Sequence, residues 1–135
     1  MPRHRFVEHT GELEVRLEAS DLASLLEEAG RALADVMAED AGGPPTAQPE
    51  HVELVAPDRE SLLVDWLNEL VYRADVNKCV YDDVRVHRAN DRKLEATLRG
   101  REPRSPKTAV KAATWHRVRV AETANGLEAT VVLDV

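Results

Sequence analysis

The chain has 135 residues, 43% hydrophobic and 32% charged, which excludes a disordered chain and sets the scale at one ordinary domain with a sizeable core. Its 18 lysines and arginines against 25 aspartates and glutamates leave a formal charge of −7, which excludes wrapping of nucleic acid by bulk attraction. With Cys79 as the single cysteine, no apolar stretch in the start MPRHRFVEHT and no run of about 18 apolar residues, the expectation is a soluble, cytoplasmic protein without disulfides or membrane contact.

In chain order, Leu13, Val15 and Leu17 alternate with Glu12, Glu14, Arg16 and Glu18, which predicts a half-buried first strand. Ser20 or Asp21 then supplies an N-cap. Leu22, Leu25, Leu26, Ala29, Leu33, Val36 and Met37 fall at three- and four-residue steps, the pattern of an amphipathic helix. The stretch AGGPPTAQP reads as a polar loop, and HVELVA as the next strand. Pro57 and Asp58 open a second helix, with Leu62, Leu63, Trp66, Leu67, Leu70 and Val71 along one side. CVYDDVRVHRA and KLEATLRG read as two strands joined at Asn90-Asp91. REPRSPK is a basic, Pro-rich loop, TAVKAATWHRVRV a long strand, Asn125-Gly126 a hairpin turn and GLEATVVLDV the closing strand. The order β-α-β-α followed by a β-meander predicts an α+β fold, two helices packed on a largely antiparallel or mixed sheet.

Gly-rich phosphate loops, zinc-ligand spacings and a serine nucleophile elbow are all missing from the sequence, and Cys79 lacks a nucleophile's context. Three polar groupings remain. Glu8, His9 and Glu12 crowd around Gly11 in EHTGELEVR, as an acid–base or ligand cluster or simply a solvated strand entry. In the ending VVLDV, Asp134 stands beside the carboxylate of Val135, and two such charges repel unless a cation lies between them. Brought together, the two groupings would supply three carboxylates to one cation, provided the first and last strands are neighbours. In VKAATWHRVRV, alternation points His116 to the apolar face and puts Lys111, Trp115, Arg117 and Arg119 on the other. That second stripe suits RNA, an acidic partner, or no partner at all.

These residues carry a resemblance. EHTGELEVR is similar to the opening signature of the archease family, DLASLLEEAGRALADVM to its first helix, and SLLVDWLNELVYRADVNKCVY to its second helix and following strand. PKTAVKAATWHRVRV and VVLDV resemble its late strand and its ending, so the likeness spans residues 1–135 as a single domain, the loop around residues 41–50 apart. The resemblance implies a non-catalytic, metal-binding helper of an RtcB-type RNA ligase, which uses GTP and manganese to seal RNA in tRNA splicing and RNA repair. The helper promotes guanylylation of the ligase and its multiple turnover. A chaperone-like effect on a tRNA methyltransferase is also implied for some members.

Carried over by position, the family's metal ligands fall on Glu12, Asp134 and Val135, with His9, Lys111 and His116 as supporting or partner-contact residues. Glu12 departs from the family's aspartate by one methylene. The implied cofactor is a divalent cation, and the adaptable coordination of calcium tolerates that change better than magnesium does, with manganese a further candidate. The other function considered is a small hydrolase using a metal and carboxylates, with Glu12 or His9 as base.

Overall fold

In the computed structural model, which describes residues 2–40, 43–45 and 48–135, the alternation starting at Leu13 is the second arm of a hairpin and not the first strand. Strands β1 (Arg3–His9) and β2 (Glu12–Ala19) pair antiparallel from Arg3 opposite Glu18 to His9 opposite Glu12. Gly11 turns the chain between them at a φ of 73°, where a side chain is strained. No residue of β1 is fully buried, and its half-buried His4 and Val7 lie on opposite faces, so no alternation marks it in the sequence.

Helix α1 (Leu22–Met37) is capped by Asp21, whose carboxylate accepts from the Ser24 amide at 2.8 Å. It runs directly into a short strand, β3 (Ala38–Asp40), ahead of the expected loop. Of that loop, AGGPPTAQP, residues 41, 42, 46 and 47 lie outside the described residues. After β4 (Glu50–Val55), Asp58 caps helix α2 (Arg59–Asn77) by accepting from the Ser61 amide at 2.7 Å. Strands β5 (Val80–Asn90) and β6 (Lys93–Arg101) form the expected hairpin. The Pro-rich loop holds the two-residue strand β7 (Ser105–Pro106), which pairs with β3. Finally β8 (Ala112–Thr123) and β9 (Gly126–Asp134) pair across the Asn125-Gly126 turn.

The two helices and antiparallel pairing match the expected α+β class, but the strands divide among separate sheets. Four strands run in the order β1-β2-β9-β8, three in the order β4-β6-β5, and β3 with β7 makes a small third sheet. The central strands β2 and β9 bury Val15, Leu17, Ala129, Val131 and Leu133, and α1 packs against both. Trp66 is fully buried and its Nε1 donates to the Leu26 carbonyl at 2.8 Å, joining α2 to α1. Arg73 of α2 bridges Glu69 at 2.7 Å and Glu50 of β4 at 3.0 Å, and Tyr81 of β5 donates to Glu50 at 2.6 Å.

One contact positions the edge of the four-stranded sheet. The side-chain amide of Asn68 donates to the Ala113 carbonyl at 3.1 Å and accepts from the Ala113 amide at 2.8 Å. A single side chain thus pairs backbone groups that an edge strand would otherwise offer to water or to another chain.

Gly126 has a φ of 139°, and a Cβ there would sit 2.3 Å from the Ala19 carbonyl oxygen. Gly126→Ala is therefore expected to lower unfolding free energy by about 2 kcal/mol or more, measured by urea denaturation.

Candidate metal centre

Pairing of β2 with β9 sets Glu12 directly opposite Asp134, and pairing of β1 with β2 sets His9 opposite Glu12. Ala112 of β8 faces Asp134 from the other side. Directly paired residues share a sheet face, so His9, Glu12 and Asp134 stand in one row at the end of the sheet, the face away from Leu13 and Leu133. Val135 is tied beside them by its amide, which donates to the Gly11 carbonyl at 3.2 Å. The Lys111 amide donates to the Asp134 carbonyl at 2.8 Å, fixing that end of β9 against β8. The first and last predicted strands are thus neighbours.

Facing carboxylates repel, and like charges directly opposite in an antiparallel pair destabilise it. The cation nearest to hand is Arg117, whose Nη2 lies 3.3 Å from the Glu12 carboxylate while its Nε lies 3.6 Å from Glu14. Glu14 is only 7% exposed and also accepts from Arg16 at 2.7 Å, so two guanidiniums share one buried carboxylate.

Arg117 reaches Glu12 because β8 does not follow the regular alternation. Thr114 pairs with Val132, but the next pair is Arg119 with Thr130, so β8 advances five residues while β9 advances two. Arg117 absorbs the excess at a φ of 59°. This bulge overturns two sequence expectations. His116 is exposed and not on the apolar face, its Nε2 lying 3.2 Å from Arg117 Nη1. Trp115 is 57% exposed, and the stripe expected through Lys111, Trp115, Arg117 and Arg119 does not share one regular face. Ala113 and Val120, an odd number of residues apart, are instead the buried positions. Period-two reasoning cannot see a bulge that changes parity.

All six residues singled out in the sequence therefore lie around one end of the sheet, three of them in a single row. The donor chemistry suits a hard cation: two carboxylates facing each other, with main-chain oxygens alongside. Among the described residues no three His, Cys, Asp or Glu side chains converge as a ready metal cluster. The pair fits such an ion as an open site, one that leaves most coordination positions to water or to a partner. The sequence reading passed over the importance of Arg117 and Glu14; a buried glutamate on the outward face of a strand has no signature in the sequence.

Cys79 lies away from this row. It is 4% exposed, and burial pushes its thiol above the usual range while a hydrogen bond with Tyr81 opposes the shift. Such a thiol is a poor nucleophile.

The archease protein family model (MTH1598/TM1083) matches residues 4–135. The protein archease of Methanosarcina acetivorans is 30% identical over 141 residues, covering 98% of this chain and 96% of that protein. The solution structure of Methanobacterium thermoautotrophicum protein 1598 superposes with a TM-score of 0.78 at 27% identity, covering 98% of each chain. A Thermotoga maritima crystal structure, described as an archease and possible chaperone, matches with a TM-score of 0.65. At 22% identity, with 96% of this chain and 94% of that one covered, the likeness speaks for the fold alone. The chain belongs to the archease family. Among the described residues no helix is long and apolar enough to cross a membrane.

Two outcomes follow from this geometry. In metal-free buffer of low ionic strength, Asp134→Asn is expected to leave stability unchanged or raise it by up to about 1 kcal/mol, because it removes one of two facing charges. Thermal unfolding with added chelator checks this. The native protein at pH 8 is expected to resist a thiol-specific chromogenic reagent, with Cys79 reacting only once denaturant unfolds the chain.

Proposed function

We propose that this archease-family chain is a non-catalytic, metal-binding accessory protein of an RtcB-type RNA ligase, acting in the cytoplasm in tRNA splicing or RNA repair. The observation that carries the reading is the Glu12–Asp134 pair, two carboxylates set directly opposite on adjacent strands at a cost in stability. An arrangement that weakens the sheet yet gathers oxygen donors is understandable as a binding site.

Glu12, Asp134 and a main-chain oxygen of Val135 would hold a divalent cation, calcium foremost, with manganese and magnesium as competitors. The ion, when bound, supplies concentrated positive charge at an exposed edge, suited to the phosphates of a nucleotide held by a partner. The chain's own residues do the rest. Lys111 fixes Asp134 through its main chain, Arg117 orients Glu12, and His9 and His116 line the rim. The longer glutamate at position 12 reaches Arg117. Such a helper activates a ligase only through its preference for the reactive conformation of that enzyme.

The test has two parts. Calorimetric titration with calcium, manganese and magnesium is expected to give binding that Asp134→Asn weakens at least tenfold. With RNA ends in excess, GTP and manganese, the wild type is expected to carry an RtcB-type ligase well beyond one turnover, and Asp134→Asn to leave it near one. Metal binding without any gain in turnover would discard the ligase assignment and retain the site; turnover unaffected by the substitution would discard the site.

A further inference from the structure

Farther along the same outward face, one row of the four-stranded sheet holds three arginines. Arg5 pairs with Arg16, Arg16 with Thr130, and Thr130 with Arg119, so each of the four strands contributes one residue to a single line. With strands about 4.8 Å apart, the line runs about 14 Å across the sheet. All three arginines are exposed.

Their charges are not balanced in the row. Arg16 has Glu14 at 2.7 Å and Arg119 has Glu128 at 2.8 Å. Arg5 acts on Glu18 only at longer range, since that carboxylate is hydrogen-bonded to Arg3 at 2.5 Å, and among the described residues Arg5 forms no close ion pair of its own. Its direct cross-strand partner is another cation, an unfavourable arrangement. The row lies in a cleft of about 720 Å³ whose lining holds five arginines against three glutamates, in a protein whose formal charge is −7. That volume is within the usual range for small-molecule sites, roughly 300–1,000 Å³.

We infer that this cleft is a binding site for a phosphate-bearing ligand, held by Arg5, Arg16 and Arg119 with the Thr130 hydroxyl among them. The guanidinium fork matches phosphate oxygens two at a time, and a terminal phosphate carries close to two negative charges near neutral pH. One such group between Arg5 and Arg16 neutralises both, where a single carboxylate does not. The source is either a free nucleotide or polyphosphate, or the phosphates of a single-stranded polynucleotide. The site is distinct from the Glu12–Asp134 row and does not depend on a metal or on a ligase.

The experiment uses the isolated full chain with a chelator present. Calorimetric titrations with inorganic tripolyphosphate, GTP, a short single-stranded RNA and a polyglutamate peptide are run at two salt concentrations. The expected result is binding of the phosphate ligands that Arg5→Gln and Arg16→Gln each weaken at least tenfold, with the logarithmic salt slope falling by about one per arginine. Arg88→Gln, on the other large sheet, is expected to bind like wild type. Arg5→Gln should not melt below wild type, since it relieves a like-charge pair without breaking an ion pair; Arg16→Gln removes one of the two guanidiniums that hold Glu14, so its binding is read well below its own melting temperature. RNA binding tighter than tripolyphosphate and GTP assigns the site to a polynucleotide; the reverse order assigns it to a free phosphate ligand. No binding at low salt, equal affinity in the arginine variants, or tightest binding to polyglutamate overturns the inference.

Discussion

The whole outward surface of the larger sheet depends on the pairing of β2 with β9. That ladder joins residues more than a hundred positions apart and places them at the centre of a four-stranded sheet. On its inner side it stacks Val15 and Leu17 beside Val131 and Ala129, where burial under α1 stabilises each side chain by about 1.5–3 kcal/mol except the small alanine. The outer side inherits the register and has no say in it. Because the inner face fixes which residues pair, Glu12 must meet Asp134 and Arg16 must meet Thr130, favourable or not. A slip of one residue would turn every buried valine outward, so the apolar face enforces a charge pattern that the charges alone would not adopt.

The β2–β9 register thus sets Glu12 against Asp134, and the hairpin turned at Gly11 sets Arg5 against Arg16, so like charges face each other on one surface. Between the two pairs lies Glu14, held by Arg16 and Arg117, while Glu128, held by Arg119, sits opposite Glu18 in the next row beyond the arginines. The face therefore changes along the strands: an acidic row at one end, the compensated Glu14, the arginine row, and then Glu18 and Glu128, each paired with an arginine. A cation fits the acidic row and a phosphate-bearing group the arginine row, and each would relieve a repulsion that the fold imposes. The exposed Trp115 and His116 stand on the bulge beside the acidic end, displaced there by three extra residues in β8.

Much of this was legible in the sequence wherever burial is periodic. Both helices, the Asn125-Gly126 turn and the strands from Glu12 and to Asp134 follow from apolar spacing and capping residues, because those segments each bury one face. The first strand was not legible, since Arg3–His9 buries neither face and looks like a polar terminus. The short β3 and β7 were hidden by length, two or three residues being too few for any pattern. His116 was misplaced because alternation assumes an unbroken ladder, and the shift between Thr114 and Arg119 breaks it. For the site, chemistry in the sequence pointed to both ends of the chain, while the family resemblance supplied their roles. The arginine row was invisible for a different reason: its members come from four strands, and only the register lines them up.

The position of β9 also governs how the protein comes to be made. It is an inner strand, flanked by β2 and β8, yet it follows all the other described elements along the chain. Until it emerges, the β1–β2 hairpin and β8 have open edges facing an empty slot, and Val15 and Leu17 have no neighbours on that side. Helix α2 already guards β8 at Ala113 through Asn68, on the edge that β9 does not use. The nascent chain must therefore carry an incomplete sheet until β9 has emerged, and can close it only then. Long-range closure of this kind is slow, and open strands are prone to wrong pairing. A shortfall in this strand would part β8 from the β1–β2 hairpin and not merely trim an edge.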